Sequence, residues 1–388
     1  MDLLLKQGLV YDGIHRQPSK KDILVKNGKI AVIADTLQDG SPEDCMIINC
    51  EDLRVYPGFV DAHSHLGLDA FASGFDASDY NECNDPVTPQ LRAIDGFNPQ
   101  DRALELAVQG GVTTICTGPG SANVLGGTFM AVKTSGKRVD DMAIRTEVAM
   151  KCAFGENPKR VYEKNHITSR MTTAALLRTY LAKAFEYDRK LKEGIEDPSK
   201  APAFDAKLQA LLPVVRGEMP LKAHAHRADD IFTVIRIAKE FNVKLTLEHC
   251  TDGGLIAEEL AAEQIPCAVG PSLGHPGKLE LVNKSFETPG ILSRAGVSVS
   301  IITDAGVVPQ EYLPLCAGLA VKNGMDEFDA LKAITSNAAK HIGVEDRVGS
   351  IEVGKDGDFV ITKADPMLSD TEILYTIIDG EIKYKKEA

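Results

Sequence analysis

No stretch of the 388-residue sequence approaches the roughly 20 consecutive apolar residues of a membrane-spanning helix. No membrane partner is therefore expected. The opening MDLLLKQGLVYDGI is broken by Lys6, Gln7 and Asp12, too short an apolar stretch for a secretory h-region. The eight cysteines (45, 50, 83, 116, 152, 250, 267 and 316) form no CxxC pair. Scattered thiols without an export signal point to reduced cysteines in the core and a cytoplasmic location. Basic clusters are missing as well: 43 Lys and Arg face 56 Asp and Glu, a net charge of −13. Such a surface argues against nucleic acid and leaves a small molecule as the expected partner. A homo-oligomer stays open.

What is present is an ordinary globular composition, 44% hydrophobic and 26% charged. The length suits one large barrel with a smaller appendage. Residues 1–56 read as short strands joined by turns, with Asn27-Gly28 as a hairpin signal. The tail repeats the pattern in DFVITKA and ILYTIIDGEIKYKK, with Asp379-Gly380 as the turn. The expectation is a composite β-sandwich of residues 1–56 and 346–388, with residues 57–345 inserted between its halves.

The insert alternates strands and helices. Candidate strands fall at 57–63, 112–118, 128–133, 145–151, 220–226, 244–250, 266–271 and 298–304. Helical patterns occupy 99–110, 169–193 and 326–342, with an elaborated crossover at 194–218. Eight parallel strands separated by helices predict an α/β fold, a (β/α)8 TIM-like barrel. The run at 128–133 follows Gly126-Gly127 and has no helix after it.

Metal-ligand residue types collect where these strands end. His63 and His65 follow the first, Lys151 ends the fourth, and His224 and His226 end the fifth. Glu248 and His249 end the sixth, and Asp304 ends the eighth. In a barrel these ends share one mouth, where active sites are built. Five of the nine histidines fall there.

The chain resembles the amidohydrolase superfamily. The resemblance rests on PGFVDAHSHLG after an N-terminal sandwich, His224 after strand five, LEHC after strand six, ITDAG after strand eight and GSIEVGKDGDFVI in the tail. Within the superfamily it is similar to the imidazolonepropionase-related branch, which holds metal-dependent dipeptidases. The resemblance implies His63, His65 and Asp304 around the more buried metal. His224 and His249 complete a one-metal site or bind a second ion. Neutral imidazoles and a carboxylate suit zinc, though another divalent metal fits too. The metal would lower the pKa of a bound water, and Asp304 would act as general base and acid. His249, the metal or both would polarise the substrate carbonyl. The reaction implied is hydrolysis of an amide or peptide-like C–N bond in a small polar substrate. Deamination or cyclic-amide opening at the same site is the alternative, and a scaffold without catalysis is a third reading.

Other residues divide between readings. Lys151 is either a carboxylated lysine bridging two metals or an ordinary lysine paired with Glu156 or another acid. Among candidate substrate contacts are His226, Arg227, Arg160 in GENPKR and His275 in GPSLGHPGK. The bland reading of Arg227 is an ion pair with Asp229 or Asp230. His15, His166 and His341 read as structural, and Cys250 as buried rather than nucleophilic. The polar loop 68–98 is a lid, a pocket wall or an oligomer contact.

Overall fold

Short apolar runs separated by turn residues become strands in the first 57 residues. They are β1 (Asp2–Val10), β2 (Ser19–Lys26), β3 (Lys29–Ala34), β4 (Cys45–Asn49) and β5 (Arg54–Pro57). The computed structural model describes residues 2–37, 45–71, 74–165 and 167–387. The readings of His166 and of residues 72–73 in the 68–98 loop lie outside the described residues. Asn27 and Gly28 join β2 to β3 with φ of 50° and 76°. Two positive values in succession make the twisted turn that hairpins prefer, and glycine adopts the second without a Cβ penalty.

The middle of the chain supplies the barrel strands. They are β6 (Phe59–Ser64), β7 (Val112–Thr117), β8 (Leu125–Lys133), β9 (Ala143–Ala153), β10 (Leu221–Ala225), β11 (Leu245–His249), β12 (Cys267–Val269) and β13 (Val299–Ile301). The chain then returns through β14 (Phe359–Thr362), β15 (Ile373–Ile378) and β16 (Glu381–Lys385) to the first sheet. That sheet runs β16-β15-β14-β5-β1-β2-β3, with β4 branching from β1. Its apolar faces meet over Leu3, Ile23, Val25, Val55, Phe359 and Ile377.

The barrel sheet runs in simple order from β6 to β13. One strand departs from the parallel expectation: β8 is antiparallel to both β7 and β9. A parallel return needs a crossover of a dozen or more residues. Only 118–124 separates β7 from β8, and 134–142 separates β8 from β9, so the chain folds straight back.

Helices cover the outside. The helix expected from 99 opens at Arg102, because the Asp101 side chain accepts from Ala103 N and serves as its N-cap. The helix Arg170–Glu196 is capped by Ser169 in the same way. The pattern at 326–342 is two helices, Glu327–Ala333 and Ser336–His341, because Thr335 leaves helical geometry (φ −138°, ψ −100°).

Closure joins β6 to the segment after β13. Asp304 N donates to His63 O at 3.2 Å and His65 N to Ala305 O at 2.6 Å. Beside them Asp61, fully buried, accepts from His63 N (3.0 Å), Thr303 N (3.1 Å), Thr303 Oγ1 (2.6 Å) and Gln310 Nε2 (2.6 Å). The two bodies meet at buried Lys133, which pairs with Asp358 at 2.5 Å and Asp356 at 3.0 Å.

An amide in place of Asp61 turns one acceptor atom into a donor facing these N–H and O–H groups. Asp61→Asn should therefore lower unfolding free energy by about 2 kcal/mol, one lost charge-assisted acceptor. A urea midpoint that falls at unchanged slope is the expected result.

Candidate metal centre

Six side chains converge at the C-terminal ends of the strands. His63 and His65, two residues apart at the end of β6, place their ring centroids 5.3 Å apart. The backbone bonds of closure bring Asp304 beneath them. Its Oδ1 lies 3.2 Å from His65 Nε2 and 3.6 Å from His63 Nε2. His224 and His226, from the end of β10, lie 4.6 Å apart by centroid, and His249 is 4.4 Å from His224 and 5.0 Å from His63.

Local backbone geometry aims them. His249 has φ of 77° and Asp304 has φ of 52°. Non-glycine residues in this region carry strain, which collects at functional sites. At β11 the strained conformation has a visible effect. Adjacent strand residues normally face opposite sides, yet Glu248 and His249 both reach His63.

Hydrogen bonds fix which ring atoms are free. His65 Nδ1 lies 2.7 Å from Gly118 O and His249 Nδ1 lies 2.8 Å from Gly270 O. A carbonyl only accepts, so each Nδ1 carries a proton, and the lone pair of the neutral ring falls on Nε2. The Nε2 of His249 and both ring nitrogens of His224 are buried with no hydrogen-bond partner. His226 differs, with Nδ1 at 2.8 Å from Thr251 Oγ1.

Electrostatics keep these groups in metal-binding form. Burial lowers the pKa of His63, His224 and His226 well below the usual histidine value, and that of His249 to about 4. For Asp304, burial acts upward, but His249, His65 and His63 hold the carboxyl far below the usual range. Neutral imidazoles with a carboxylate are donors that could hold a cation. Ligand atoms of His224, His226 and His249 lie within 4.8 Å of one another, as do those of His63, His249 and Asp304.

Lys151 is fully buried beside this cluster, its Nζ 3.2 Å from His63 Nε2. Lys222 is its direct neighbour across the β9–β10 pairing. Burial lowers the Lys151 pKa to about 8 against the pull of Asp304 and Glu248, and Lys222 lowers it further. No carboxylate lies within ion-pair distance of Lys151 among the described residues. Glu156 faces elsewhere, accepting from Glu280 N at 3.0 Å.

A cavity of about 390 Å³ opens above the cluster. Its wall includes His65, Asp304, His224 and His226, with Arg160, His275, Lys278 and Lys284. Arg227 does not line it, and its guanidinium is held by Asp229 at 2.8–2.9 Å. Lys278 pairs with buried Glu280 at 2.5 Å, and the Glu280 carboxylate stands 3.8–3.9 Å from His226 and His224 Nε2. Nothing in the sequence around Glu280 marked it, because its place depends on the loop after β12 folding onto Gly155-Glu156. The remaining readings are placed plainly. His15 pairs with Asp12 in an exposed turn, Cys250 is buried, and His341 reaches Glu248 at 2.9 Å.

The profile of the amidohydrolase family matches residues 54–383. The crystal structure of an amidohydrolase from Thermotoga maritima MSB8 superposes with a TM-score of 0.94 at 40% identity, covering 99% of this chain and all (100%) of that one. Amidohydrolase tasK of Hapsidospora irregularis is 26% identical across 94% of this chain, which spans only 40% of tasK. An imidazolonepropionase of Thermoplasma volcanium is 27% identical across 91% of this chain and 85% of its own length.

A cation that binds the folded chain alone stabilises it by about 2.7 kcal/mol when present at about 100 times its Kd. Zinc added to chelator-treated protein should raise the thermal midpoint accordingly. His249→Phe, which removes a ligand from both groups, should abolish the rise.

Proposed function

The chain belongs to the amidohydrolase family, and from that premise we propose a metal-dependent hydrolase of an amide or peptide-like C–N bond in a small, carboxylate-bearing substrate. One observation carries the reading. Among the described residues, buried imidazole nitrogens of His224 and His249 stand without partners, and His249 lies beside the Asp304 carboxylate. Buried polar atoms left unpaired are costly, and a bound cation resolves the cost.

His63, His65 and Asp304 would hold the deeper ion, with zinc the metal best suited to the donors. His224 and His249 would complete that site or hold a second ion, which a carboxylated Lys151 would bridge. Support for that bridge is a buried lysine with no carboxylate within ion-pair distance among the described residues and a second lysine across the strand pair. When bound, the metal lowers the pKa of a water and polarises a carbonyl.

The chain's own residues do the rest. Asp304 takes a proton on its carboxylate and returns it to the leaving nitrogen. His249 Nε2, with the ring proton held on Nδ1, would serve as a ligand through its lone pair. His226 and His275 shape the cavity wall beside it. Arg160 and Lys284 meet the substrate carboxylate. Both line the cavity, and neither has a carboxylate partner among the described residues; the Lys284 ammonium donates to Leu273 O at 3.0 Å. The 27% identity to an imidazolonepropionase favours ring opening of a cyclic amide as the second reading.

Turnover measured on a panel of dipeptides, N-acyl amino acids and cyclic ureides separates the two. With the best substrate, Asp304→Asn should cost about 10²–10⁴ in kcat at unchanged fold, the usual share of acid–base catalysis. Wild-type rates from that variant would sink the mechanism. Arg160→Gln and Lys284→Gln should each raise KM about tenfold, roughly 1.4 kcal/mol, and leave kcat nearly unchanged. A native intact mass heavier by one CO2, lost in Lys151→Arg, would establish the carboxylation that the bridge requires.

A further inference from the structure

Beneath the barrel mouth lies a polar cluster that the proposed chemistry does not use. At its centre is the Glu248 carboxylate, fully buried on β11. Four groups surround it. On Oε2 are Lys222 Nζ at 2.8 Å and His63 Nδ1 at 3.0 Å. On Oε1 are Thr246 Oγ1 at 2.9 Å and His341 Nε2 at 2.9 Å.

An ionised carboxylate has about four lone-pair positions and no proton to give. All four are filled, so every neighbour is a donor. Burial alone would favour the protonated acid, but Lys222, His341 and His63 together hold the pKa well below the usual glutamate value.

The donor count has a consequence at the metal centre. His63 must carry its proton on Nδ1, which leaves the Nε2 lone pair facing Asp304 and Lys151. Lys222 also donates to Ala62 O at 2.9 Å, so the same cluster holds the backbone just before His63. On the far side, His341 has no partner at Nδ1. Its one hydrogen bond ties the helix Ser336–His341 to the carboxylate.

We propose that Glu248, braced by Lys222, Thr246 and His341, is a positioning residue that sets the tautomer and ring orientation of His63 and so the affinity of the metal centre. The inference rests on the reading of His63 as a ligand. Carboxylates that accept from a ligating imidazole orient it and raise its basicity, and losing one typically costs 10–100-fold in metal affinity. By this account a side chain from the helix Ser336–His341 acts on the metal through two intervening residues, Glu248 and His63.

The test uses cobalt(II) alone, titrated into chelator-treated full-length protein against a competing chelator, with the visible spectrum recorded. Glu248→Gln should bind about 10–100 times more weakly, with shifted visible bands. His341→Phe, which removes the bracing donor, should weaken binding about tenfold. His341→Gln keeps an N–H for Oε1 and should recover most of the loss. A merely structural cluster would lower the melting temperature of these variants and leave affinity and spectrum as in the wild type. That result overturns the inference. If Glu248→Gln does not fold, the His341 pair decides, because equal affinity in Phe, Gln and wild type also overturns it. Wild-type protein that binds no cobalt removes the functional reading and this inference together. Wild-type binding with unaltered variants removes the inference alone.

Discussion

Asp61, Thr303 and Gln310 hold β6 against the segment that follows β13, and two backbone hydrogen bonds continue the seam from His63 to Ala305. This seam joins the first strand of the barrel to its last. Asp304 meets His63 and His65 only because of it, although Asp304 lies 239 positions after His65 in the sequence. Closing so long a loop costs conformational entropy, which the buried charge-assisted bonds at Asp61 help to offset. The other ligand types arrive on β9, β10 and β11, each fixed by in-register pairing to the next. A shift at the seam would separate the carboxylate from the imidazoles while leaving every other strand pair intact.

The mouth concentrates groups that a protein interior normally avoids. Two lysines, several imidazoles and the Glu248 carboxylate are buried within a few strand positions, with Asp304 only slightly exposed beside them. They are tolerated because the cluster is layered. In the lower layer the Glu248 carboxylate is satisfied by internal donors and forms one balanced ion pair with Lys222. The upper layer is left open, with neutral rings and lone pairs turned inward. The division follows from acceptor geometry: Gly118 and Gly270 carbonyls take the Nδ1 protons that would otherwise block the site. A satisfied base beneath an unsatisfied mouth is the arrangement expected of a preorganised cation site.

Much of this was legible in the residues. All eight barrel strands fall where β-branched and apolar runs suggested, and the Asn-Gly and Asp-Gly turns adopt the positive φ values that such pairs allow. The direction of β8 was not legible from its composition, since strand propensity carries no orientation. Loop length was the clue, because neither flanking connection could span the barrel. Helix ends shifted where a side chain competed for backbone N–H groups, as Asp101 does, and the last helical pattern broke at Thr335. Glu248 was visible as a residue type, but strict alternation along β11 would have turned it away from His249. His341 carried no signal at all, because a histidine at a helix end reads the same whether or not a carboxylate waits beneath it.

Sequence alone determined the class of chemistry. His-x-His after an apolar strand, more strand-end histidines and a late aspartate define a donor set for a hard or borderline cation, whatever the exact coordinates. It also determined the strand count, because period and turn chemistry are local properties. Tertiary structure decided the rest. It reversed β8, seated Arg227 on Asp229 away from the cavity, and left Arg160 and Lys284 on the cavity wall without ion-pair partners among the described residues. It buried Lys151 next to Lys222, and it set Glu248 under His63. The reason is physical: protonation state, tautomer and partner depend on which groups meet across 3 Å, and residues that meet there can stand anywhere along the chain.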